Sequence, residues 1–181
     1  MTTARRLCLF LVLLAAAATA EAEIKSAAAD SFLVSYSQRV DAPPAKVYAA
    51  LAMVDRWWDG GHSYSGNAAN FSLQAQAGAC FCERWNEGSV EHGRVVMAIR
   101  DQTLRLQTAL GPLQGRAVTG ALTFQLKPAE TGTELTMTYL VNGAGGSALD
   151  KSAPAVDRVL GDMFARLVRF AETGKADAKQ E

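Results

Sequence analysis

From Phe71 to Val141 the apolar residues of this chain recur with a period of two, and one amphipathic helix of period 3.6 then follows. That succession limits the fold more than any other feature. Phe71, Leu73 and Ala75 alternate with Ser72, Gln74 and Gln76, and a strand from Ala79 to Trp85 turns through Asn86, Glu87 and Gly88. Val95, Met97 and Ile99 define one face of the next strand, Leu104, Leu106 and Leu110 the one after. Leu122, Phe124 and Leu126 follow, then a turn over Pro128 to Gly132, then Leu135, Met137, Tyr139 and Val141, alternating with Thr136 and Thr138 over the first three. Links this short join antiparallel neighbours, because a parallel crossover needs a dozen residues or more. Each strand carries one apolar face, so the sheet is covered on one side.

The cover is legible too. Val156, Leu160, Met163, Leu167 and Phe170 lie at helical spacing, with Arg158, Asp162, Arg166 and Arg169 on other faces. Ser152 is placed to cap this helix with Pro154 in its first turn, and Gly174 ends it. Upstream, Phe32, Val34 and Tyr36 begin a strand that runs to Val40, and Pro43 and Pro44 open a helix bearing Val47, Tyr48, Leu51 and Val54 that closes at Trp57 and Trp58. The expected class is α+β, a curved antiparallel sheet wrapped around a long C-terminal helix, in one domain over residues 30–173. Residues 174–181 read as a disordered tail.

The first 20 residues have a different character. Arg5 and Arg6 precede an apolar run from Leu7 to Ala18, shorter than the roughly 20 residues a bilayer span needs and ending in small side chains. Residues 1–20 therefore read as a signal peptide, cut after Ala20 or Ala22, and the mature chain as periplasmic or secreted. Cleavage lowers the basic count from 18 to 16 against 18 acidic residues, a net charge of −2. Such a near-neutral surface, without a Lys/Arg cluster, argues against nucleic acid as a partner. No membrane span is expected after cleavage. Cys80 and Cys82 remain; two residues apart on an extended strand they are about 6.6 Å apart at Cα, at the edge of bridging range, so free buried thiols are expected unless a bulge draws them together.

Four pieces in order carry a resemblance: Trp57-Trp58 closing the first helix, Gly93-Arg94-Val95 opening a central strand, Leu104 and Leu106 after a short turn, and Gly132-Thr133-Glu134-Leu135-Thr136-Met137-Thr138-Tyr139 before the last helix. Over about residues 30 to 173 the chain resembles the START and Bet v 1-like (SRPBCC) superfamily, in the branch related to the C-terminal domain of the Hsp90 activator Aha1. The resemblance implies a helix-grip fold with space between sheet and helix. It does not fix a function, since that superfamily includes ligand carriers, polyketide aromatases and cyclases, and chaperone regulators. An exported chain departs from the cytosolic Hsp90 activators.

The site must then be argued from side chains. Trp57, Trp58, His62 and Tyr64 crowd beside Gly60 and Gly61, where aromatic faces and an imidazole either grip a ligand or plug the core. Glu83 and Glu91 flank a hairpin. If Val95, Met97 and Ile99 face inward, period two turns Glu91 inward and His92 and Arg94 outward unless a bulge intervenes. Met97, Tyr139, Leu160, Met163 and Leu167 are the expected apolar wall. His62, His92, Cys80 and Cys82 show no zinc-like spacing, so neither metal nor cofactor is expected. The leading expectation is an exported, non-enzymatic binder of a small apolar or amphipathic molecule. A cofactor-independent cyclase, hydratase or hydrolase, with Glu83 or Glu91 as base and His62 or Tyr64 as acid, is the alternative, and an envelope interaction module a third.

Overall fold

The computed structural model describes residues 21–177; the expected signal peptide at 1–20 lies outside the described residues. Strands β1 (Glu21–Ala28) and β2 (Ser31–Val40) precede helix α1 (Pro44–Ala52) and the short helix α2 (Val54–Trp57). Then come β3 (Phe71–Ser72), β4 (Cys80–Trp85), β5 (Gly88–Ile99), β6 (Thr103–Thr108), β7 (Thr119–Pro128) and β8 (Thr133–Asn142), and finally α3 (Leu149–Thr173). The eight strands form one antiparallel sheet in the order β1-β2-β8-β7-β6-β5-β4-β3. This is the helix-grip α+β architecture.

Strand β1 occupies a stretch whose composition, Glu-Ala-Glu-Ile-Lys-Ser-Ala-Ala, carries almost no alternation. It is held as an edge strand by its pairing with β2 across the tight Ala29-Asp30 turn. The first helix also differs from a single segment, since it breaks at Met53 into α1 and α2.

Helix α3 begins at Leu149, earlier than a Ser152 cap would allow. Leu149 and Ala153 are buried, and the Leu149 N–H donates to the Ala29 carbonyl at 2.9 Å, so tertiary anchoring carries the helix through Pro154. At its other end Gly174 takes a left-handed φ of 77° and donates to the Phe170 carbonyl, a conformation glycine adopts without strain. Lys175–Asp177, read from composition as part of a disordered tail, fold back on α3. Ala176 is buried, Arg169 donates to its carbonyl at 2.8 Å, and Arg166 pairs with Asp177.

The helix leans to one side of the sheet, packing on β1, β2 and α1. There the Tyr36 ring stacks on Phe164 at 5.7 Å and its hydroxyl donates to Asp157. Toward β4–β6 the sheet curves away from the helix, and the space between is where the candidate site lies.

Candidate functional site

A cavity of about 710 Å³ opens between the N-terminal half of α3, the Trp58–Tyr64 loop, the Leu110–Arg116 turn and His92. Leu110, Leu113, Val156, Val159 and Leu160 supply its apolar wall and Trp58 an aromatic one. The loop and the turn are tied across the mouth by the Tyr64 hydroxyl, which donates to the Gly111 carbonyl at 3.1 Å. The Trp58 indole N–H donates to the His62 carbonyl at 3.0 Å and shapes the loop. On the opposite side the Arg116 guanidinium donates to the Ser152 hydroxyl and the Ser147 carbonyl, clamping the turn to the start of α3.

The polar centre is a pair that the strand periodicity does not announce. Glu83 is completely buried and His92 is 6% exposed, with His92 Nε2 2.9 Å from Glu83 Oε2. Glu83 also accepts from the backbone N–H of Tyr64 at 3.1 Å and of Ser65 at 2.6 Å. Burial alone would raise this carboxyl, but hydrogen bonds from Ser65, Tyr64 and His92 outweigh it and hold Glu83 below the ordinary carboxylate value. Burial depresses His92, the attraction of Glu83 opposes it only in part, and the imidazole stays below its ordinary value. The rings of Phe71, Phe81 and Tyr64 surround it at 5.0, 5.1 and 5.8 Å.

A β-bulge places His92 there. Gly93 pairs with Phe81 and Glu91 with Cys82, which leaves His92 as the extra residue of β5. The extra residue breaks the alternation, so His92 and Gly93 are both buried while Glu91 and Arg94 are exposed. The inward position expected for Glu91 is therefore corrected: it pairs with Arg94 on the outer face. His92, expected outward, faces inward. Gly93 is required beside it, since a Cβ there would lie 2.7 Å from the Gln107 carbonyl oxygen.

A second bulge, at Val96, shifts the phase again. Val95 faces the core opposite Leu106, but Ala98 now opposes Leu104, which turns Met97 and Ile99 to the outer face. Met97 is thereby removed from the expected wall. Tyr139 is buried in the core, its hydroxyl accepting from the Leu110 N–H at 3.1 Å, and burial pushes its pKa up to about 12. Met163 and Leu167 are core as well, with the Met163 sulfur accepting from the Asp59 N–H. Trp57 donates to the Ala50 carbonyl at 2.9 Å from within the core. Of the expected site residues, Trp58, His62, Tyr64 and Leu160 line the cavity, and Glu83 sits directly behind it.

Cys80 and Cys82 form a disulfide, against the expectation of free thiols. Where the β4–β5 register shifts, their Cα atoms approach to 5.3 Å, inside the bridging range. The bridge lies on the outer face beside Glu91; these three residues are the one group of potential metal ligands found among the described residues, and in this state both sulfurs are bonded to each other.

No family model matches the chain, and no curated protein matches it in sequence. Solved structures do match in fold. CalU16 from Micromonospora echinospora aligns with a TM-score of 0.58 at 15% identity, over 90% of this chain and 86% of its own. The Aha1 dimer from Colwellia psychrerythraea aligns with a TM-score of 0.57 at 21% identity, over 79% and 98%. A conserved protein of unknown function, EF2215 from Enterococcus faecalis, aligns with a TM-score of 0.57 at 12% identity, over 90% and 82%. The chain thus has the START/Bet v 1-like helix-grip fold.

Proposed function

We propose that this protein binds a small apolar or amphipathic molecule between the sheet and α3, as a carrier or sensor outside the cytoplasm. The observation that carries the reading is the cavity of about 710 Å³. Its size is that of ordinary small-molecule sites, and an apolar wall with few polar groups is their usual chemistry. The test is extraction of natively purified protein followed by mass spectrometry. One co-purifying molecule in near-equimolar amount supports the reading; an empty extract, from protein that also takes up no added apolar compound, sinks it. The Glu83–His92 pair favours one second reading, cofactor-independent general-base chemistry with His92 as the base. A bound molecule that is converted on incubation, where a carrier would return it unchanged, decides for that reading.

Export is part of the proposal. The basic start, apolar run and small-x-small ending support it, as does a disulfide, which persists in oxidising compartments. Cleavage after Ala20 leaves β1 whole, whereas cleavage after Ala22 removes its first two residues. The intact mass of protein from a secreting host is expected to match a chain starting at Glu21 and two hydrogens below the dithiol form. A membrane-bound chain retaining Arg5 and Arg6, or a mature chain with two free thiols, contradicts this.

A further inference from the structure

The Glu83–His92 pair has a direction. Glu83 is an acceptor for three donors, and an ionised carboxylate can only accept, so Nε2 of His92 carries the hydrogen of that bond. A neutral imidazole with its hydrogen on Nε2 presents a lone pair at Nδ1. Nδ1 takes no hydrogen bond from the described residues. No buried side-chain nitrogen or oxygen among those residues lacks a partner, so Nδ1 is open to the cavity that His92 lines. On a side chain that is 94% withdrawn from solvent and ringed by Phe71, Phe81 and Tyr64, that acceptor becomes costly once an apolar ligand fills the cavity without giving it a hydrogen.

We infer that His92 Nδ1 is the polar anchor of the cavity and accepts the hydrogen of an acidic hydroxyl, a phenol or enol, on an otherwise apolar ligand. The inference rests on the ligand-binding reading above. Two features choose an acidic hydroxyl over a plain alcohol. Glu83, bound to Nε2–H, strengthens the acceptor at the far side of the ring, as a carboxylate does for any imidazole it orients. The formally charged side chains in the lining, Arg116 and Lys151, are both cations, and Lys151 is paired with Asp150 at 3.2 Å, which leaves Arg116 as the one that counts. Arg116 makes its hydrogen bonds to neutral oxygens of Ser152 and Ser147. Negative charge developing on a ligand oxygen is favoured there, and a ligand carboxylate facing Nδ1 is disfavoured because it has no hydrogen to give. Glu83 is a positioning residue in this scheme; it does not touch the ligand.

The probes are 1-naphthol and its methyl ether, 1-methoxynaphthalene, which share an apolar body and differ in the one hydrogen. By calorimetric titration the naphthol is expected to bind about tenfold more tightly, the worth of one net hydrogen bond plus relief of an unpaired acceptor. The protein has 2 histidines, His62 and His92, so ¹⁵N-histidine labelling gives a readable ring-nitrogen spectrum. Naphthol is expected to shift the His92 Nδ1 signal of the unaltered protein, and the ether to leave it in place. His92→Phe should bring the two affinities together, and His92→Gln, which can still donate to Glu83, should narrow the gap likewise. Equal affinities with an unmoved Nδ1 signal overturn the inference and leave the ligand-binding reading standing. Binding of neither compound, in protein that still takes up another apolar dye, also overturns the inference alone; no uptake of any apolar compound overturns both.

Discussion

Glu83→Ala is expected to destabilise the protein by about 3 kcal/mol, because it removes the acceptor of one buried and two part-buried donors at once. Tyr64 and Ser65 lose the acceptor that fixes their backbone, and His92 Nε2 loses its partner. Since Tyr64 and the residues before it form one wall of the cavity, the damage reaches the binding space as well as the fold. For a domain of this size the thermal midpoint should fall by roughly 10 °C. Glu83→Gln, which keeps one acceptor oxygen, should fall less than half as far. A midpoint for Glu83→Ala within 2 °C of the unaltered protein would mean that the carboxylate does not hold the loop to the sheet.

The same pair sets a pH dependence with a definite sign. Glu83 is held below its ordinary value of 4.5, so its contribution is present above that value and is lost as pH falls through the folded pKa. His92 is held below its ordinary 6.5, so the unfolded chain takes up that proton first, and stability begins to fall as pH drops below about 6.5. Both groups therefore act in one direction. Melting curves should be flat above pH 7 and fall from there toward pH 4, and His92→Gln should lack the upper part of that fall.

Much of this was legible in the chain. Period two from Phe71 onward gave six strands, the stripe from Val156 to Phe170 gave the covering helix, and Gly174 marked its end. Trp58, His62 and Tyr64, expected at a cavity mouth only through the helix-grip resemblance, are among the residues that line it. His92 was not, and the reason is physical: alternation is a local rule, whereas a bulge is fixed by how two strands pair. The bulge at His92 exchanges the faces expected of Glu91 and His92, and the bulge at Val96 turns Met97 outward. The signal that could have raised the question was the unusual pairing of Gly93 with a histidine and a glutamate before it. The disulfide was hidden by the same means, since an ideal strand holds Cys80 and Cys82 farther apart than the 5.3 Å they adopt. Strand β1 was hidden differently, by an edge position where backbone pairing with β2 does the work that an apolar face does elsewhere.

Side chains on α3 separate a filled core from a binding space. Met163 is 1% exposed among packed neighbours, so Met163→Trp should overpack and cost about 1–3 kcal/mol, several degrees of midpoint. Val159 is half-buried on the cavity wall, and the larger ring of Val159→Trp enters open space at almost no cost in stability. What Val159→Trp removes is room for a ligand. The decisive measurement is titration of an apolar fluorescent probe into the unaltered protein and Val159→Trp, with thermal midpoints of both. Saturable one-site uptake by the unaltered protein is expected, with at least tenfold weaker uptake by Val159→Trp and midpoints within about 2 °C of each other. No uptake by the unaltered protein, with Val159→Trp melting several degrees lower, would mean that the space between sheet and helix is closed in solution, and the binding function would be contradicted.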